Sequence, residues 1–288
     1  MQRNHVPWRA AGSTTEQKRS ADEVVQETGW VFNNVTGSDL SLAEFVETGD
    51  NETLAYLTAF GLGDQPFASQ SLVEIGSGIG RMTASFTRMF ARVVACDLDA
   101  AFLERCRETV AQFGRPERLQ TCPVADGRTI ALADSTTDLA FSYITFQHCN
   151  HDDALALTSE ALRIVRSGGY VVLNYRTWTG RDVVLWPAGK IVRALWRVPK
   201  LGPAISKHRS IARLGWQANR LSPTEVMAAV GAKLSNVQIV RSPKRRAFAI
   251  PGTFDQSFEG VHPSHWWLVA TVRNSQPPGE DAALPFGA

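Results

Sequence analysis

A strand, a glycine turn and a helix in immediate succession constrain the fold of this chain more than any other feature. The apolar run from Leu72 to Ile75 predicts a buried strand, and helical spacing begins at Arg81 and continues to about Phe90. The turn between them consists of Gly76, Ser77, Gly78, Ile79 and Gly80. Because glycine allows close backbone approach and positive φ, such a turn can place N–H groups and a helix N-terminus against a ligand.

The spacing of the glycines discriminates between ligands. A dinucleotide-binding turn, G-x-G-x-x-G counted from Gly76, would need its third glycine at position 81, which is Arg81. Here an acid, Glu74, precedes the glycines, and a second predicted strand, 92–97, ends in Asp97. An acid at that strand end can hydrogen-bond ribose hydroxyls. The pattern disfavours NAD-dependent oxidoreduction, for which a Tyr-x-x-x-Lys pair is also missing from the expected helix.

Together these residues resemble the class I S-adenosylmethionine (SAM) dependent methyltransferase family, of the type that acts on small molecules. The similarity is good over about residues 70 to 175 and weaker to about 273. Residues 124–127 resemble the segment after the family's third strand, 138–143 its fourth strand, and 162–173 its next helix, Gly-Gly turn and fifth strand. The resemblance implies SAM as the cofactor and S-adenosylhomocysteine as the product.

The alternation of strands and helices, with this resemblance, predicts an α/β fold. We expect a Rossmann-like, doubly wound, mostly parallel seven-stranded sheet with a helical N-terminal cap and an inserted lid after strand five. The predicted strands are 71–75, 92–97, 118–123, 138–144, 169–175, 237–240 and 265–272; the family's last strand is antiparallel, between the fifth and sixth. The predicted helices are 15–28, 41–46, 52–60, 80–90, 100–113, 152–166, 183–198 and one from Ser222.

Six segments are expected along the chain. They are a disordered N-terminus (1–14), the helical cap (15–68), a SAM-binding core (69–175), a basic Trp-rich insertion (176–220), the C-terminal part of the core (221–274) and a disordered tail (275–288).

The resemblance implies a set of cofactor-binding residues at the carboxyl edge of the sheet. They are Glu74, Gly76, Ser77, Gly78, Gly80, Arg81, Asp97, Leu98, Asp126, Gly127 and Gln147. Asp97 would hold the ribose and Asp126 would meet the adenine amino group. Three alternatives stay open: Glu74 could satisfy amides of the glycine turn, Asp126 could be a turn residue beside Gly127, and Arg81 could reach the SAM carboxylate or cap a helix face.

Residues 146–153 follow the fourth predicted strand, where family members bring the methyl group to its acceptor. His148 is the candidate catalytic residue, because an alcohol must lose a proton as it attacks and histidine titrates near neutral pH. Simple packing near the cofactor is the alternative. An H-x-x-H metal site with His151 is disfavoured, since the two residues straddle a strand end and a helix start, and we predict no metal. His262 and His265 are further base candidates.

The insertion 176–220 is longer than a minimal connection and strongly basic. It contains ten Lys or Arg residues, four Trp residues and a single acid, Asp182. As a lid it would contribute to an acceptor site; the candidate substrate-binding residues are Tyr143, Arg176, Trp178 and Trp186. An oligomer contact, a peripheral contact with an anionic membrane and a solvated positive face are the alternatives. No recognised nucleic-acid module accompanies the charge, and we predict no nucleic-acid partner.

Composition sets the remaining expectations. The chain is 44% hydrophobic and 20% charged, with a net charge of +2, which is ordinary for a globular protein. Its four cysteines lack metal or redox spacing and predict free buried thiols in a reducing compartment. Residues 1–20 do not resemble a signal peptide, and no apolar run reaches the roughly 18 residues of a membrane span. A cytoplasmic monomer or homodimer is expected.

The sequence therefore favours a SAM-dependent methyltransferase that acts on a small or medium acceptor. The preferred target is a hydroxyl oxygen of a sugar, a natural product or a lipid-linked compound, a preference that depends on His148 alone. The alternatives are N-methylation of a small amine and a SAM-binding module without catalysis.

Overall fold

The computed structural model describes residues 20–32, 40–198, 201–206 and 208–273. The segments predicted to be disordered, 1–14 and 275–288, lie outside this part of the chain. The described strands are β1 (Ser71–Ile75), β2 (Arg92–Asp97), β3 (Leu119–Pro123), β4 (Thr137–Ser142), β5 (Val165–Arg176), β6 (Leu234–Arg241), β7 (Phe254–Ser257) and β8 (His265–Val272). The helices are α1 (Ala21–Phe32), α2 (Leu42–Ala59), α3 (Thr83–Met89), α4 (Ala100–Phe113), α5 (His151–Ile164), α6 (Asp182–Leu195), α7 (Leu201–Ser206), α8 (Arg209–Trp216) and α9 (Pro223–Val230).

The strands form one sheet in the order β3-β2-β1-β4-β5-β8-β6-β7. All neighbouring strands are parallel except the two pairs made by β8, which runs antiparallel between β5 and β6. The Rossmann-like, doubly wound architecture is confirmed. The sheet has eight strands rather than seven, because the short polar segment Phe254–Ser257 pairs with β6 at one edge.

Apolar strands in the middle of the sheet explain why helices cover both of its faces. Along β1, Val73 and Ile75 pack into the core on one face, whereas Leu72 packs into a cluster on the other. β2 is buried from Val93 to Cys96. Strands that are buried on both sides read as continuous apolar runs, as parallel sheets require. The order of the sheet reverses between β1 and β4, so a crevice opens at their carboxyl ends.

The N-terminal helices differ from the prediction. Two helices were expected at 41–46 and 52–60, separated by Gly49, but α2 is continuous from Leu42 to Ala59 and begins with a capping box at Ser41. Gly49 lies inside the helix because α2 rests on the main chain of Arg81, where an added Cβ would come 2.2 Å from the carbonyl oxygen. The helix expected to stop before Gly29 also continues, to Phe32.

The insertion folds into three helices, of which only α6 was predicted. α8 packs against α6, and two glycines allow the close contact: a Cβ on Gly189 would come 2.3 Å from the carbonyl oxygen of Leu214, and one on Gly215 2.3 Å from the Trp196 ring. Among the described helices, none has both the length and the apolar character to cross a membrane.

Candidate functional site

The glycine turn after β1 needs glycine for two different reasons. All three residues adopt a left-handed backbone: Gly76 at φ +81°, Gly78 at +55° and Gly80 at +93°. A Cβ on Gly76 would also come 2.1 Å from Oγ1 of Thr145, which follows β4, so this glycine brings the turn against the opposite wall of the crevice. Gly80 instead faces α4, where an added Cβ would come 3.1 Å from Cα of Cys106, and it does not line the crevice. Its role is therefore packing.

The backbone amides of this turn bond within the protein. Gly76 and Ser77 both donate to the carbonyl oxygen of Cys96, at 2.7 and 3.0 Å, and Gly80 donates to that of Ser77. The Gly78 amide donates to Oδ2 of Asp97 at 2.9 Å. The turn therefore shapes the floor of the crevice and fixes the end of β2, instead of presenting these four amides to a ligand.

Asp97 lies at the carboxyl end of β2 with its carboxylate in the crevice. Its Oδ1 accepts from the Asp99 amide at 3.0 Å. Burial raises the pKa of Asp97 to about 6, against the opposing effect of the amide hydrogen bonds. Each carboxylate oxygen keeps a second lone pair for a ligand hydroxyl. Asp99, in contrast, is occupied as the N-cap of α4, where it accepts from the Ala101 amide.

Glu74 is a buried acid of the crevice floor. Its Oε2 accepts from the Thr83 hydroxyl at 2.6 Å, so the glycine amides are not its partners. Burial raises the pKa of Glu74 to about 8. Among the described residues, the Ser77 hydroxyl has no hydrogen-bond partner stronger than the Cys106 thiol, so it can still bond to a ligand.

Arg81 reaches back from the turn to the N-terminal cap. Its Nη2 forms an ion pair with Glu52 at 2.6 Å, and its Nη1 donates to Thr48 at 3.3 Å, both on α2. The guanidinium lies 6.0 Å from the centre of the Phe45 ring and 5.8 Å from that of Tyr143. Arg81 is buried and lines the crevice. One end of the crevice is therefore lined by a cationic side chain and by aromatic rings.

The wall opposite the glycine turn follows β4. Tyr143 stacks on Trp267 with ring centres 5.2 Å apart, and its oxygen accepts from the Tyr56 hydroxyl at 2.9 Å. Burial raises the pKa of Tyr143 to about 12, so this tyrosine stays protonated at neutral pH. The next residue, Ile144, has φ 55°, a strained conformation for a β-branched side chain. Strain at a residue lining a crevice is common at functional sites.

His148 is held in one orientation at the same wall. Its Nδ1 lies 2.7 Å from the carbonyl oxygen of Trp216, so Nδ1 carries the hydrogen and Nε2 is an acceptor. The amide Nε2 of Gln147 lies 3.2 Å from that acceptor. Burial, opposed by the hydrogen bond to Trp216 and assisted by the nearby Arg176 charge, lowers the pKa of His148 to about 4. The imidazole is therefore neutral at physiological pH.

Several residues considered from the sequence lie outside the crevice lining. Asp126 is exposed, and its carboxylate accepts from the amides of Arg128 and Thr129, as a turn residue does; Gly127 beside it lines the crevice. Gln147 is buried behind His148, and its Oε1 has no partner among the described residues. His265 is buried, and burial lowers its pKa to about 3.

Three candidate substrate-binding residues lie in the insertion. Arg176 belongs to a buried charge cluster, and Trp178 and Trp186 form an aromatic pair. Arg176 and Arg220 both hold the Asp182 carboxylate, at 2.9 and 2.7 Å, and all three residues are buried. Trp178 lies against Trp186 with ring centres 5.6 Å apart and is 44% exposed. Of the four predicted substrate-binding residues, only Tyr143 lines the crevice.

The resulting cleft has a volume of about 1020 Å³, including its open mouth. Further apolar, hydroxyl and thiol side chains complete the lining, among them Phe45 of the helical cap. The others were not assigned from the sequence, and the chain shows no local signal for them. They are Ile75, Ile79, Met82, Cys96, Val124, Ile144, Thr145, Cys149 and Leu157. In the described part of the chain no group of three His, Cys, Asp or Glu residues is placed to hold a metal ion.

Comparisons with known proteins point in one direction. The family model described as a methyltransferase domain matches residues 73–173. An uncharacterized methyltransferase of Mycolicibacterium paratuberculosis is 28% identical over 113 residues, which are 39% of this chain and 42% of that protein. A carboxy-S-adenosyl-L-methionine synthase of Pseudomonas fluorescens is 31% identical over 108 residues, 36% of this chain and 44% of that protein. The chain thus spans less than half the length of these relatives.

A solved structure shows the same fold over most of the chain. It is the magnesium protoporphyrin IX methyltransferase of Synechocystis with bound S-adenosylhomocysteine, with a TM-score of 0.51 and 14% identity. The match covers 88% of this chain and 98% of that one.

Proposed function

We propose that this chain, whose residues 73–173 match the model of a methyltransferase domain, binds SAM in the cleft and methylates a small or medium acceptor, releasing S-adenosylhomocysteine. The observation that carries the proposal is the placement of Asp97. A carboxylate with spare lone pairs lies at the end of β2, next to the point where the strand order reverses. This is where open α/β sheets bind nucleosides.

The cleft fits SAM in charge and in polarity. Asp97 would hold the ribose hydroxyls, and the apolar side chains of Ile79, Leu98 and Val124 would surround the base. The Asp97 carboxylate offers negative charge to a cationic ligand, and Arg81 offers a partner for the carboxylate of the ligand. Glu74, whose pKa of about 8 keeps it mainly protonated at neutral pH, offers a hydrogen bond. When bound, SAM supplies a methyl group that is attached to a positively charged sulfur. When the methyl group is transferred, the sulfur leaves as a neutral thioether.

His148 supports oxygen as the target atom. An acceptor hydroxyl loses its proton as the new C–O bond forms and the C–S bond breaks, and Nε2 of His148 would receive that proton. With a pKa of about 4, the imidazole is already deprotonated at neutral pH. It is also a weak base, so proton transfer must accompany methyl transfer instead of preceding it. Tyr143 and Thr145 would position the acceptor across the cleft, since catalysis of this displacement is largely alignment.

Two measurements test the proposal. Calorimetric titration should show that SAM and S-adenosylhomocysteine each bind with a stoichiometry of one. Incubation with SAM labelled in the methyl group should then transfer label into hydroxyl compounds of a cell extract fractionated by size. Absence of SAM binding would refute the proposal. Binding without transfer would favour the non-catalytic module, and label on amines alone would identify an N-methyltransferase.

A further inference from the structure

The insertion 176–220 concentrates the exposed apolar surface of the molecule. Nine large hydrophobic side chains are exposed among the described residues, and seven of them lie in this segment. They are Trp178, Val183, Val184, Ile191, Val198, Leu201 and Ile211. Single exposed apolar residues are normal, but clustering of this kind marks a binding surface.

Three of these residues, Val183, Val184 and Ile191, lie on one face of α6. Val183 and Val184 are 73% and 70% exposed, and Ile191, two turns later, is 61% exposed. Pro187 and Ala194 are exposed at the intermediate turns. The recurrence at three and four residues defines a single outward stripe. We call this stripe, Val183 to Ala194, the outer face of α6.

The opposite face of α6 anchors the helix to the protein. Asp182, Gly189 and Val192 are buried there, and Gly189 touches the backbone of α8. The Arg193 guanidinium donates to the Gly215 carbonyl oxygen at 3.1 Å. The inner face makes the contacts that hold α6 against the protein. The outer face is therefore not needed for packing within the described chain.

The insertion is strongly basic, and in its described part Arg181, Lys190 and Arg197 are exposed in or beside α6. The segment 176–220 holds ten basic residues and one acid, a formal charge of +9. The whole chain carries +2, which leaves 20 basic and 27 acidic residues, or −7, for everything else. The only acid of the segment, Asp182, is buried between two arginines. Exposed Lys190 lies over the Trp186 ring, its Nζ 3.4 Å from the ring centre.

We propose that the outer face of α6 binds the surface of a bilayer that contains anionic lipids. Apolar side chains flanked by Lys, Arg and Trp suit the boundary between headgroups and acyl chains, where aliphatic groups enter and cations meet phosphates. α6 is about 21 Å long at 1.5 Å per residue and carries charges, so it lies in the interface and does not span it.

Two other occupants fit the surface less well. A second copy using the same face would bring two segments of +9 together, which repels. A nucleic acid would use the charge and leave the exposed valines and isoleucine without a role. The lipid surface uses both properties. The proposal does not depend on methyl transfer, because none of these residues lines the cleft.

The test uses the full chain and flotation with vesicles. Vesicles of equal parts phosphatidylcholine and phosphatidylglycerol should carry the protein upward, whereas vesicles of phosphatidylcholine alone should not. The double variant Val184→Glu, Ile191→Glu should bind the anionic vesicles about tenfold more weakly or worse, since two buried apolar side chains are lost. Raised salt should weaken binding of the wild type.

The matched control is Leu54→Glu, Phe254→Glu. These residues are 63% and 66% exposed, lie outside the insertion and add the same negative charge. This variant should float as the wild type does. The proposal is overturned if the wild type fails to float with anionic vesicles, or if the α6 variant and the control behave alike. It is also overturned if the α6 variant changes only the oligomeric state, which would assign the face to a second copy. SAM affinity, measured on all three proteins, should not change.

Discussion

Asp97 and Asp99 are two acids of one loop with different partners. Asp97 faces the cleft, whereas the Asp99 side chain caps α4. The sequence anticipated this division, because an acid immediately before a helical pattern is a typical N-cap. It could not anticipate that the Gly78 amide would orient the Asp97 carboxylate, since that contact joins two strand ends 19 residues apart.

Replacing Asp97 with alanine should weaken SAM binding by about 1–3 kcal/mol, the loss of a charged hydrogen bond. In the wild type, SAM affinity should fall as the pH drops through about 6, where the carboxylate takes a proton. Calorimetry across this pH range measures both effects. Asp99→Ala is the control: it should cost about 1 kcal/mol of stability and leave affinity within a few fold. Equal losses of affinity in both variants would contradict the role of Asp97.

His148 permits a sharper test of chemistry. His148→Ala should lower the rate of label transfer by about 10²–10⁴, as for loss of a general base, while SAM affinity stays within a few fold. His148→Gln keeps a polar side chain, but its amide accepts no proton near neutral pH. Label transfer by this variant should be equally slow. His151→Ala, on the exposed start of α5, should retain full turnover. Unchanged turnover in His148→Ala would assign this histidine to packing.

The helices of the insertion depend on one buried carboxylate. Asp182 begins α6 and accepts from Arg176, Arg220 and Thr179. Burial alone would raise its pKa, but these hydrogen bonds hold the pKa well below its usual range. The cluster ties α6 and the segment after α8 to the end of β5. The sequence shows one acid among ten basic residues in the insertion. It does not show with which of those residues the acid forms ion pairs, because the partners are far apart in the chain.

Asp182→Asn should destabilise the protein by about 3–5 kcal/mol, because two buried arginines lose their counter-charge. Hydrogen exchange should show that α6 loses protection first, and urea denaturation should give the total. Asp134→Asn removes an acid that is 75% exposed and paired with Arg163, and should cost less than about 1 kcal/mol. Similar costs for both variants would mean that the buried cluster does not hold the insertion.

Periodicity predicted the central elements well because their side chains are buried on defined faces. The bounds of β1, β2, α4 and β8 agree with the expected ranges 71–75, 92–97, 100–113 and 265–272. Elements without such a signal were missed. β7 is polar and mostly exposed, and α2 continues through Gly49 because of a contact with Arg81 that lies far away in the chain.

The free energy of unfolding of the whole chain should depend on pH, because two acids of the cleft have raised pKa values. Glu74 has a pKa of about 8 when folded and about 4.5 when unfolded, so the folded state binds the proton more tightly. The free energy of unfolding should therefore fall as the pH rises from about 4.5 to 8. Asp97 adds a fall between about 3.8 and 6.

Glu74→Gln should remove the first effect, because the amide oxygen still accepts from Thr83 without ionising. The variant should match the wild type below pH 4.5 and exceed its stability above pH 8, by on the order of 5 kcal/mol. Urea denaturation at both ends of this range measures the difference. SAM affinity should decrease mainly above about pH 8, where the wild-type carboxylate is ionised and attracts the sulfonium. A constant difference at all pH values would refute the shifted pKa.

The ion pair between Arg81 and Glu52 has a consequence for selectivity. An anion that approaches Arg81 must compete with the Glu52 carboxylate, which lies 2.6 Å from the guanidinium. A cation that approaches Glu52 must likewise compete with the Arg81 guanidinium. Simple anions and simple cations are therefore both penalised at this end of the cleft. A zwitterion such as an α-amino acid group satisfies the two partners at once, so the pair acts as a filter that admits matched opposite charges and turns away either charge alone.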